Sequence, residues 1–209
     1  MIQPPGFAGV AFGDADSGDL RVDHRRREAI AADLGISSDW AFAHQVHGTG
    51  ILEASRSGNL GDGDAIVTYD PTIPAAIATA DCVPIVIEAD GAVAVVHAGW
   101  RGAVDGIIPA ALAKLRSSGH KPRRAAIGPA IGPCCYEVGS DVADLFPGYV
   151  AKTTWGSVSV DISAFLERQL AELEVWRSSQ CTFTTPDLHS WRRDHTRQRQ
   201  VTVAWLLND

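Results

Sequence analysis

Two apolar, β-rich runs separated by a short turn are the feature that most constrains how this chain folds. The first run, residues 80–87, carries Cys82 at its start. The second lies within residues 93–102, and its apolar part ends at His97. Glu88-Ala-Asp-Gly91 between them is a turn signal, so the two runs are predicted to pair as antiparallel neighbours. Because both side chains lie at similar distances from the turn, the hairpin is expected to bring them together at its open end.

The rest of the chain alternates short apolar strands with amphipathic helices. Further strands are predicted over residues 6–12, 40–47, 51–54, 64–69, 75–80, 124–128, 158–160, 173–176 and 201–207. Helices are predicted over residues 22–34, 103–117, 140–145 and 161–173, and polar loops over 55–63 and 178–199. This order predicts the α+β class, a mixed α/β fold with central mixed β-sheets flanked by helices. With no repeat or linker in the sequence, residues 1–209 are expected to form a single domain.

The composition excludes several functional classes. A net charge of −7 argues against a general nucleic-acid binder, because such proteins are usually basic. No apolar run approaches the ~20 residues that span a bilayer, and the N-terminus shows no signal-peptide pattern. The four cysteines, two of them adjacent, do not resemble a secreted disulfide framework. We therefore expect a cytoplasmic protein without nucleic-acid or membrane partners; its oligomeric state is open, and a monomer is compatible with the sequence.

Three residues with metal-ligand chemistry, His47, Cys82 and His97, lie at the ends of predicted strands. Three protein ligands leave the fourth tetrahedral position open, which is typical of catalytic zinc sites. Their wide spacing is not that of a compact zinc motif, so other interpretations stay open. Cys82 also fits a small buried side chain beside hydrogen-bonded histidines. Alternatively, Cys82 is a nucleophile and His97 its base.

Charged residues near these positions suggest supporting roles. Asp64 and Asp81 are candidates to orient a ligand histidine, although Asp64 also fits a plain strand start. Arg101 and the N-terminus of the helix predicted after it are candidates to bind an anion. The run Arg192-Arg193-Asp194 fits either an anion-binding group or a surface ion-pair cluster.

Two further pairs are weaker candidates. His44 and His47 would point to opposite faces of a strand, so they are not expected to bind one ion together. Cys134-Cys135 fits a ligand pair, a redox site or simply a tight loop with small side chains.

Six stretches of the chain, taken in order, resemble the motif series of one family. They are Gln45-Val-His-Gly48, Asp64-Ala-Ile-Val-Thr68, Thr79-Ala-Asp-Cys-Val-Pro-Ile85, His97-Ala-Gly-Trp-Arg-Gly102, Ile127-Gly-Pro-Ala-Ile-Gly-Pro-Cys-Cys-Tyr-Glu-Val138 and Ser190-Trp-Arg-Arg-Asp194. The series is similar to that of the laccase-domain family, also called the YfiH or polyphenol oxidase family. Its members are regarded as purine nucleoside phosphorylases, and some are called peptidoglycan editing factors.

The resemblance implies a zinc site formed by His47, Cys82 and His97, at which copper is also possible. It implies phosphorolysis of adenosine, inosine and methylthioadenosine to the free base and a ribose 1-phosphate, together with adenosine deaminase activity. The expected partners are therefore small purine nucleosides and phosphate. Arg101, as a candidate to hold the phosphate, and Asp81 complete the predicted catalytic set.

Two segments depart from the family pattern. Residues 13–23 are shorter than the family's opening segment and lack its Ser-Leu-Asn-Leu-Gly-like stretch. Residues 195–199 replace the family's Thr-Gly-Arg and keep only the final arginine. The three metal positions are unchanged, so the departures concern substrate preference and activity if these segments line the pocket.

The histidine content argues against a true multicopper oxidase. Such an enzyme needs roughly ten histidine ligands, whereas this chain has seven histidines and no His-x-His pair. A His/Cys/His site still binds copper, since Cu²⁺ outcompetes Zn²⁺ at most such sites. The alternatives are a metal-independent Cys82/His97 hydrolase, a copper-dependent laccase-like polyphenol oxidase, and an inactive binding protein of the same fold.

Overall fold

The computed structural model describes residues 1–207, which form thirteen strands and six helices. The strands are β1 (Val10–Phe12), β2 (Ala41–His44), β3 (Ile51–Glu53), β4 (Gly58–Asp62), β5 (Ala65–Thr68), β6 (Ala75–Thr79), β7 (Val83–Ala89), β8 (Ala92–Ala98), β9 (Pro122–Ile127), β10 (Val150–Lys152), β11 (Val158–Val160), β12 (Glu174–Arg177) and β13 (Gln200–Ala204). The helices are α1 (His24–Leu34), α2 (Trp100–Asp105), α3 (Ile107–Ser117), α4 (Ser140–Ala143), α5 (Ile162–Gln169) and α6 (Trp191–Asp194).

Most strands belong to two mixed sheets. The five-stranded sheet has the order β1-β13-β6-β2-β4, and the six-stranded sheet has the order β12-β9-β7-β8-β5-β3. Both contain parallel and antiparallel pairs, such as β2 with β6 and β7 with β8. Strands β10 and β11 form a separate two-stranded sheet. The predicted class, mixed sheets flanked by helices, is confirmed.

The two large sheets pack face to face, with helices on their outer faces. In β7, Ile85 and Ile87 join the core shared with α3 and α5, while Val86 joins the core between the sheets. Successive strand side chains point to opposite faces, so a strand covered on both sides is apolar throughout. Helix α1 covers the other face of the five-stranded sheet, where Ala31 belongs to the same cluster as Val203. The layer order is therefore helix, sheet, sheet, helices.

The predicted hairpin is the β7–β8 pair. Its register runs from Ala89 opposite Ala92 to Val83 opposite Ala98, around a turn at Asp90 and Gly91. Gly91 has a φ of 68°, which glycine adopts without a steric penalty.

All four predicted helices have different bounds in the structure, and two of them differ by more than two residues. The helix expected over residues 103–117 begins earlier, at Trp100, and divides into α2 and α3 at Gly106. Gly106 has a φ of 93°, a left-handed conformation that ends α2. The helix expected to reach Leu173 ends at Gln169.

No helix among residues 1–207 is long and apolar enough to cross a membrane.

Several strand predictions were also wrong in extent. The segment 55–63, predicted as a loop, contains β4, an exposed strand at the edge of its sheet. Its Gly-Asn-Leu-Gly-Asp sequence lacks the β-branched residues that indicate strands. The strand predicted over 40–47 ends at His44, so His47 lies in the following loop. Strand β10 had no prediction at all.

We predict that Leu115→Ala destabilises the fold by about 2–5 kcal/mol, because Leu115 is fully buried in the core under α3 and its loss leaves a cavity. Leu145→Ala is the matched control: Leu145 is 43% exposed and its truncation should cost less than about 1 kcal/mol. Urea unfolding followed by circular dichroism measures both. Equal destabilisation of the two variants would contradict this assignment of the core.

Candidate active site

The site lies where the chain passes from one large sheet to the other. Strand β6 of the five-stranded sheet ends at Thr79, and β7 of the six-stranded sheet begins at Val83. Only Ala80, Asp81 and Cys82 connect them, and Asp81 has a φ of 94°, which is unusual for a residue other than glycine. This sharp connection places Cys82 at the junction of the two sheets.

The structure brings the three predicted ligands together. The ligand atoms of His47, Cys82 and His97 all lie within 4.8 Å of one another. The two imidazole rings meet edge to face, with centroids 4.8 Å apart. His97 is only 3% exposed and Cys82 is half-buried, whereas His47 is exposed. The cluster therefore has a buried base and one side open to solvent.

Asp64 organises two of these ligands. Its fully buried carboxylate lies 2.8 Å from Nδ1 of His97, and it accepts hydrogen bonds from the backbone N–H of His47 at 2.9 Å and of Gly48 at 2.7 Å. With Nδ1 bonded to the carboxylate, His97 has Nε2 free for a metal ion. Burial raises the pKa of Asp64, but the bonds from His97, Gly48 and His47 together hold it below its usual value.

The ligand cluster favours a thiolate. Burial alone would raise the pKa of Cys82, yet hydrogen bonding to His47 and His97 lowers it to about 6. Burial would lower the pKa of His97, but Asp64 and Cys82 raise it to about 9. The deprotonated sulfur is the form that both metal binding and nucleophilic attack require.

Two glycines explain the spacing of His-Ala-Gly-Trp-Arg-Gly. A Cβ at Gly99 would lie 2.8 Å from Cδ2 of His47, and a Cβ at Gly102 would lie 2.7 Å from the carbonyl oxygen of Gly48. Glycine at both positions lets α2 pack directly against the loop that carries His47. That loop holds His47 at a φ of 63°, a left-handed conformation that its bonds to Asp64 offset.

The three ligands face a pocket of about 590 Å³, a volume typical of small-molecule sites. Its wall includes several aromatic side chains and four arginines, although the whole protein is acidic. These residues are Trp100, Tyr136, Trp191, Arg21, Arg101, Arg192 and Arg199. Arg21 and Arg199 come from the two segments that depart from the family pattern, so both segments line the pocket.

Asp81 has a different role from the one expected. Its carboxylate accepts a hydrogen bond from Oγ1 of Thr182 at 2.6 Å and from the backbone N–H of Arg192 at 2.7 Å. Its carbonyl oxygen accepts from the N–H of Ile131 at 2.9 Å. Asp81 therefore fixes two segments of the pocket wall, and the orientation of the ligand histidine comes from Asp64.

The arginines of the C-terminal motif divide their roles. Arg192 lines the pocket, with its guanidinium 5.1 Å from the ring centroid of Tyr136. Arg193 instead donates to backbone carbonyls, including those of Thr182 and Leu188, and pairs with Asp194. The ion-pair interpretation therefore applies to Arg193 and Asp194, whereas Arg192 lies on the pocket wall.

The remaining candidates have clear positions. Arg101 lies on the pocket wall, exposed, with its guanidinium over the ring of Trp100. His44 pairs with Asp62 at the surface, outside the ligand cluster, as expected. The reason differs from the expected one, because His44 ends β2 and His47 lies in the following loop rather than on the same strand.

Some pocket residues were missed from the sequence. The Gln45 amide bonds to both the N–H and the carbonyl of Ala78, which continues the pairing of the five-stranded sheet next to the site. Its position two residues before His47 is a signal that could have identified it. Arg21 lies in a loop with no recognisable pattern, so no sequence signal marks it.

The fold and the site together define a layered α+β protein with a His/Cys/His donor set at the junction of its two sheets. Residues 5–207 match the family model described as multi-copper polyphenol oxidoreductase laccase. The chain belongs to this family, and the resemblance based on the motifs is confirmed.

Individual relatives agree with this assignment. The chain is 36% identical over 216 residues to a purine nucleoside phosphorylase of Corynebacterium glutamicum, covering 96% of this chain and 88% of the relative. It is 36% identical over 215 residues to a purine nucleoside phosphorylase of Streptomyces coelicolor, covering 95% and 86%. Among solved structures, YlmD from Geobacillus stearothermophilus has a TM-score of 0.83 at 26% identity, covering 97% and 94%. The hypothetical protein YfiH from Bacillus licheniformis has a TM-score of 0.77 at 25% identity, covering 90% and 82%.

We predict that Asp64→Asn lowers the affinity for Zn²⁺ about 10–100-fold, because His97 and the His47 loop lose their shared carboxylate. Asp62→Asn is the matched control, since Asp62 also pairs with a histidine, His44, but at the surface. Competition with a chromophoric zinc chelator gives both affinities. If both variants bind zinc as the unsubstituted protein does, Asp64 does not orient a metal ligand.

Proposed function

We propose that this protein is a zinc-dependent purine nucleoside phosphorylase. The observation that carries the proposal is the His47, Cys82 and His97 cluster, which opens into an arginine-lined pocket large enough for a nucleoside. Curated relatives that match almost the whole chain bear the name purine nucleoside phosphorylase, which supports the reaction class.

The donor set fits a zinc ion. One thiolate and two imidazoles are ligands that zinc accepts, and three protein ligands leave a fourth position for water or substrate. The carboxylate of Asp64 behind His97 is the supporting partner that ligand histidines commonly have. When bound, zinc supplies a Lewis acid at the open position. The same donors accept copper, so metal analysis is part of the test.

The arginines supply the charge that phosphate needs. Arg101 and Arg192 both line the pocket next to aromatic rings, and we assign them to the phosphate site. The helix N-terminus expected to contribute belongs to α2, which has only six residues. The guanidinium groups are therefore the stronger candidates to hold phosphate, through charge-assisted hydrogen bonds.

In phosphorolysis a phosphate oxygen bonds to C1′ of the ribose while the bond from C1′ to N9 of the purine breaks. The base leaves with the bonding electrons and takes up a proton. Tyr136 and Trp100 on the wall offer aromatic faces for the purine. Burial raises the pKa of Tyr136 to about 12, so its hydroxyl remains a neutral donor.

Thr79 is a further contact candidate. It lines the pocket, and within residues 1–207 its buried Oγ1 has no hydrogen-bond partner. Buried hydroxyls are normally bonded, but this oxygen has almost no exposed surface, so a polar group of the substrate would reach it only after a local movement of the pocket wall.

A second candidate function rests on the spatial arrangement of three side chains. A chain of contacts runs from Cys82 to His97 and on to Asp64. A cysteine hydrolase uses the same order of nucleophile, base and orienting carboxylate. The second imidazole, His47, favours the metal site, because a hydrolase needs only one base. Iodoacetamide distinguishes the two functions: zinc should protect Cys82 of the isolated protein, and chelation should expose it. Rapid labelling that zinc removal leaves unchanged would support the hydrolase.

We predict that His47→Ala and Cys82→Ala each lower phosphorolysis of inosine by more than about 100-fold, because each removes a ligand of the metal. Hypoxanthine release from inosine and phosphate is followed by chromatography, with metal content measured on the same samples. His120→Ala is the matched control and should keep full activity, since His120 lies outside both the cluster and the pocket wall.

Three results would contradict the proposal. One is the absence of bound metal and of hypoxanthine release. Another is intact zinc binding without turnover of any nucleoside, which would indicate an inactive binding protein. The third is oxidation of a phenol by the copper-loaded protein in place of nucleoside turnover. Adenosine as substrate separates the two purine reactions, since phosphorolysis yields adenine whereas deamination yields inosine and ammonia.

We predict that Arg101→Ala raises the KM for phosphate about tenfold, because the phosphate loses one charge-assisted hydrogen bond at an exposed position. The KM for inosine should change much less. Arg116→Ala is the control, since Arg116 pairs with Glu172 on the surface. Initial rates at varied phosphate measure the effect, and an unchanged KM would remove Arg101 from the phosphate site.

A further inference from the structure

A second cluster of metal-ligating side chains lies outside the candidate active site. The sulfur atoms of Cys134, Cys135 and Cys181 all lie within 4.8 Å of one another, and those of Cys134 and Cys135 are 3.3 Å apart. All three residues are free cysteines. We propose that they form a second metal site, which binds one thiophilic d¹⁰ ion, Zn²⁺ or Cu⁺.

The spacing of the sulfur atoms suits such an ion. A Zn–S bond is about 2.3 Å long, so thiolates at the corners of a tetrahedron lie ~3.8 Å apart. The separation between the sulfur atoms of Cys134 and Cys135, 3.3 Å, is somewhat shorter than this value, and the 4.8 Å limit on all three separations is somewhat longer. The three sulfur atoms are therefore spaced about as one shared ion requires. Soft thiolate ligands select Zn²⁺ and Cu⁺ over hard cations such as Mg²⁺.

The backbone around the cluster is already ordered for binding. Cys134 and Cys135 belong to the Gly/Pro loop after β9, and Cys181 follows β12. A bridge between Ala130 and Cys181 joins these two segments, with the N–H of Thr182 donating to the carbonyl of Ala130 at 3.0 Å. The ligands therefore do not need to be assembled from separate, unattached loops.

Gly132 contributes directly to the cluster. Its N–H donates to Sγ of Cys181 at 3.2 Å. A Cβ at Gly132 would lie 3.4 Å from Sγ of Cys134 and 3.7 Å from Sγ of Cys181, which are ordinary contact distances, so the loop backbone runs directly beside both sulfur atoms.

Partial exposure distinguishes this cluster from cysteines that only fill a core. Cys135 is buried, but Cys134 and Cys181 are partly open to solvent. A cysteine that only fills a core would have neither that exposure nor an N–H group directed at its sulfur, as Gly132 provides for Cys181. The open side leaves room for water or an external thiol as the fourth ligand of Zn²⁺.

The site is separate from the His47, Cys82 and His97 cluster but touches the same pocket wall. Cys135 precedes Tyr136 of the pocket, and Cys181 precedes Thr182, which bonds to Asp81. An ion bound here would fix the relative position of these two wall segments. The inference concerns metal stoichiometry alone, so it does not depend on the proposed phosphorylase activity.

The test uses the full-length protein with the first site removed. A His47→Ala/Cys82→Ser variant, reduced and then equilibrated with Zn²⁺, should retain one zinc per chain after dialysis. Adding Cys134→Ser and Cys181→Ser should reduce this to none. His120→Ala is the control, because His120 lies elsewhere on the surface and should leave the stoichiometry unchanged. A parallel anaerobic titration with Cu⁺ determines which of the two ions binds more tightly.

A second measurement covers the case in which the cysteine variants fail to fold. In the unsubstituted protein, zinc should protect Cys134, Cys135 and Cys181 from N-ethylmaleimide, as read by peptide mass spectrometry. Unprotected thiols in zinc-loaded protein would overturn the proposal. Retention of one zinc by the folded quadruple variant, or of neither ion by the first-site variant, would overturn it as well.

Discussion

The buried carboxylate of Asp64 is the interaction on which the site depends. It bonds to the ring of His97, at the end of a central strand, and to the backbone around His47, which comes from the other sheet. A buried charge is tolerated only when it is fully hydrogen-bonded, and these contacts satisfy it. One residue therefore sets both the direction of one ligand and the path of the loop that carries another.

The fold delivers the ligands because strands of the two sheets end at the same place. The β7–β8 hairpin positions Cys82 and His97 on one sheet, and the loop after β2 brings His47 from the other. Glycines at positions 99 and 102 allow the necessary close packing. The tightly packed core around the strands keeps this junction rigid, because close-packed protein interiors have low compressibility.

Much of this arrangement could be predicted from the sequence, for physical reasons. The hairpin follows from two continuous apolar runs around a Gly turn, and the three ligands follow from motif resemblance. Strand β4 could not be predicted, because an edge strand needs no apolar pattern. The role of Asp81 was also not predictable, since its partners Thr182 and Arg192 are about a hundred residues away. The cysteine cluster could not be predicted for the same reason. The sequence shows that Cys134 and Cys135 are adjacent, but only the tertiary structure brings Cys181 next to them.

The three-residue connection between β6 and β7 has a mechanical consequence. The connection is too short to absorb a shift between the sheets, since it contains only Ala80, Asp81 and Cys82. Sliding of one sheet over the other would therefore move Cys82 relative to His47. An ion held by both residues would therefore link the two sheets directly at this junction.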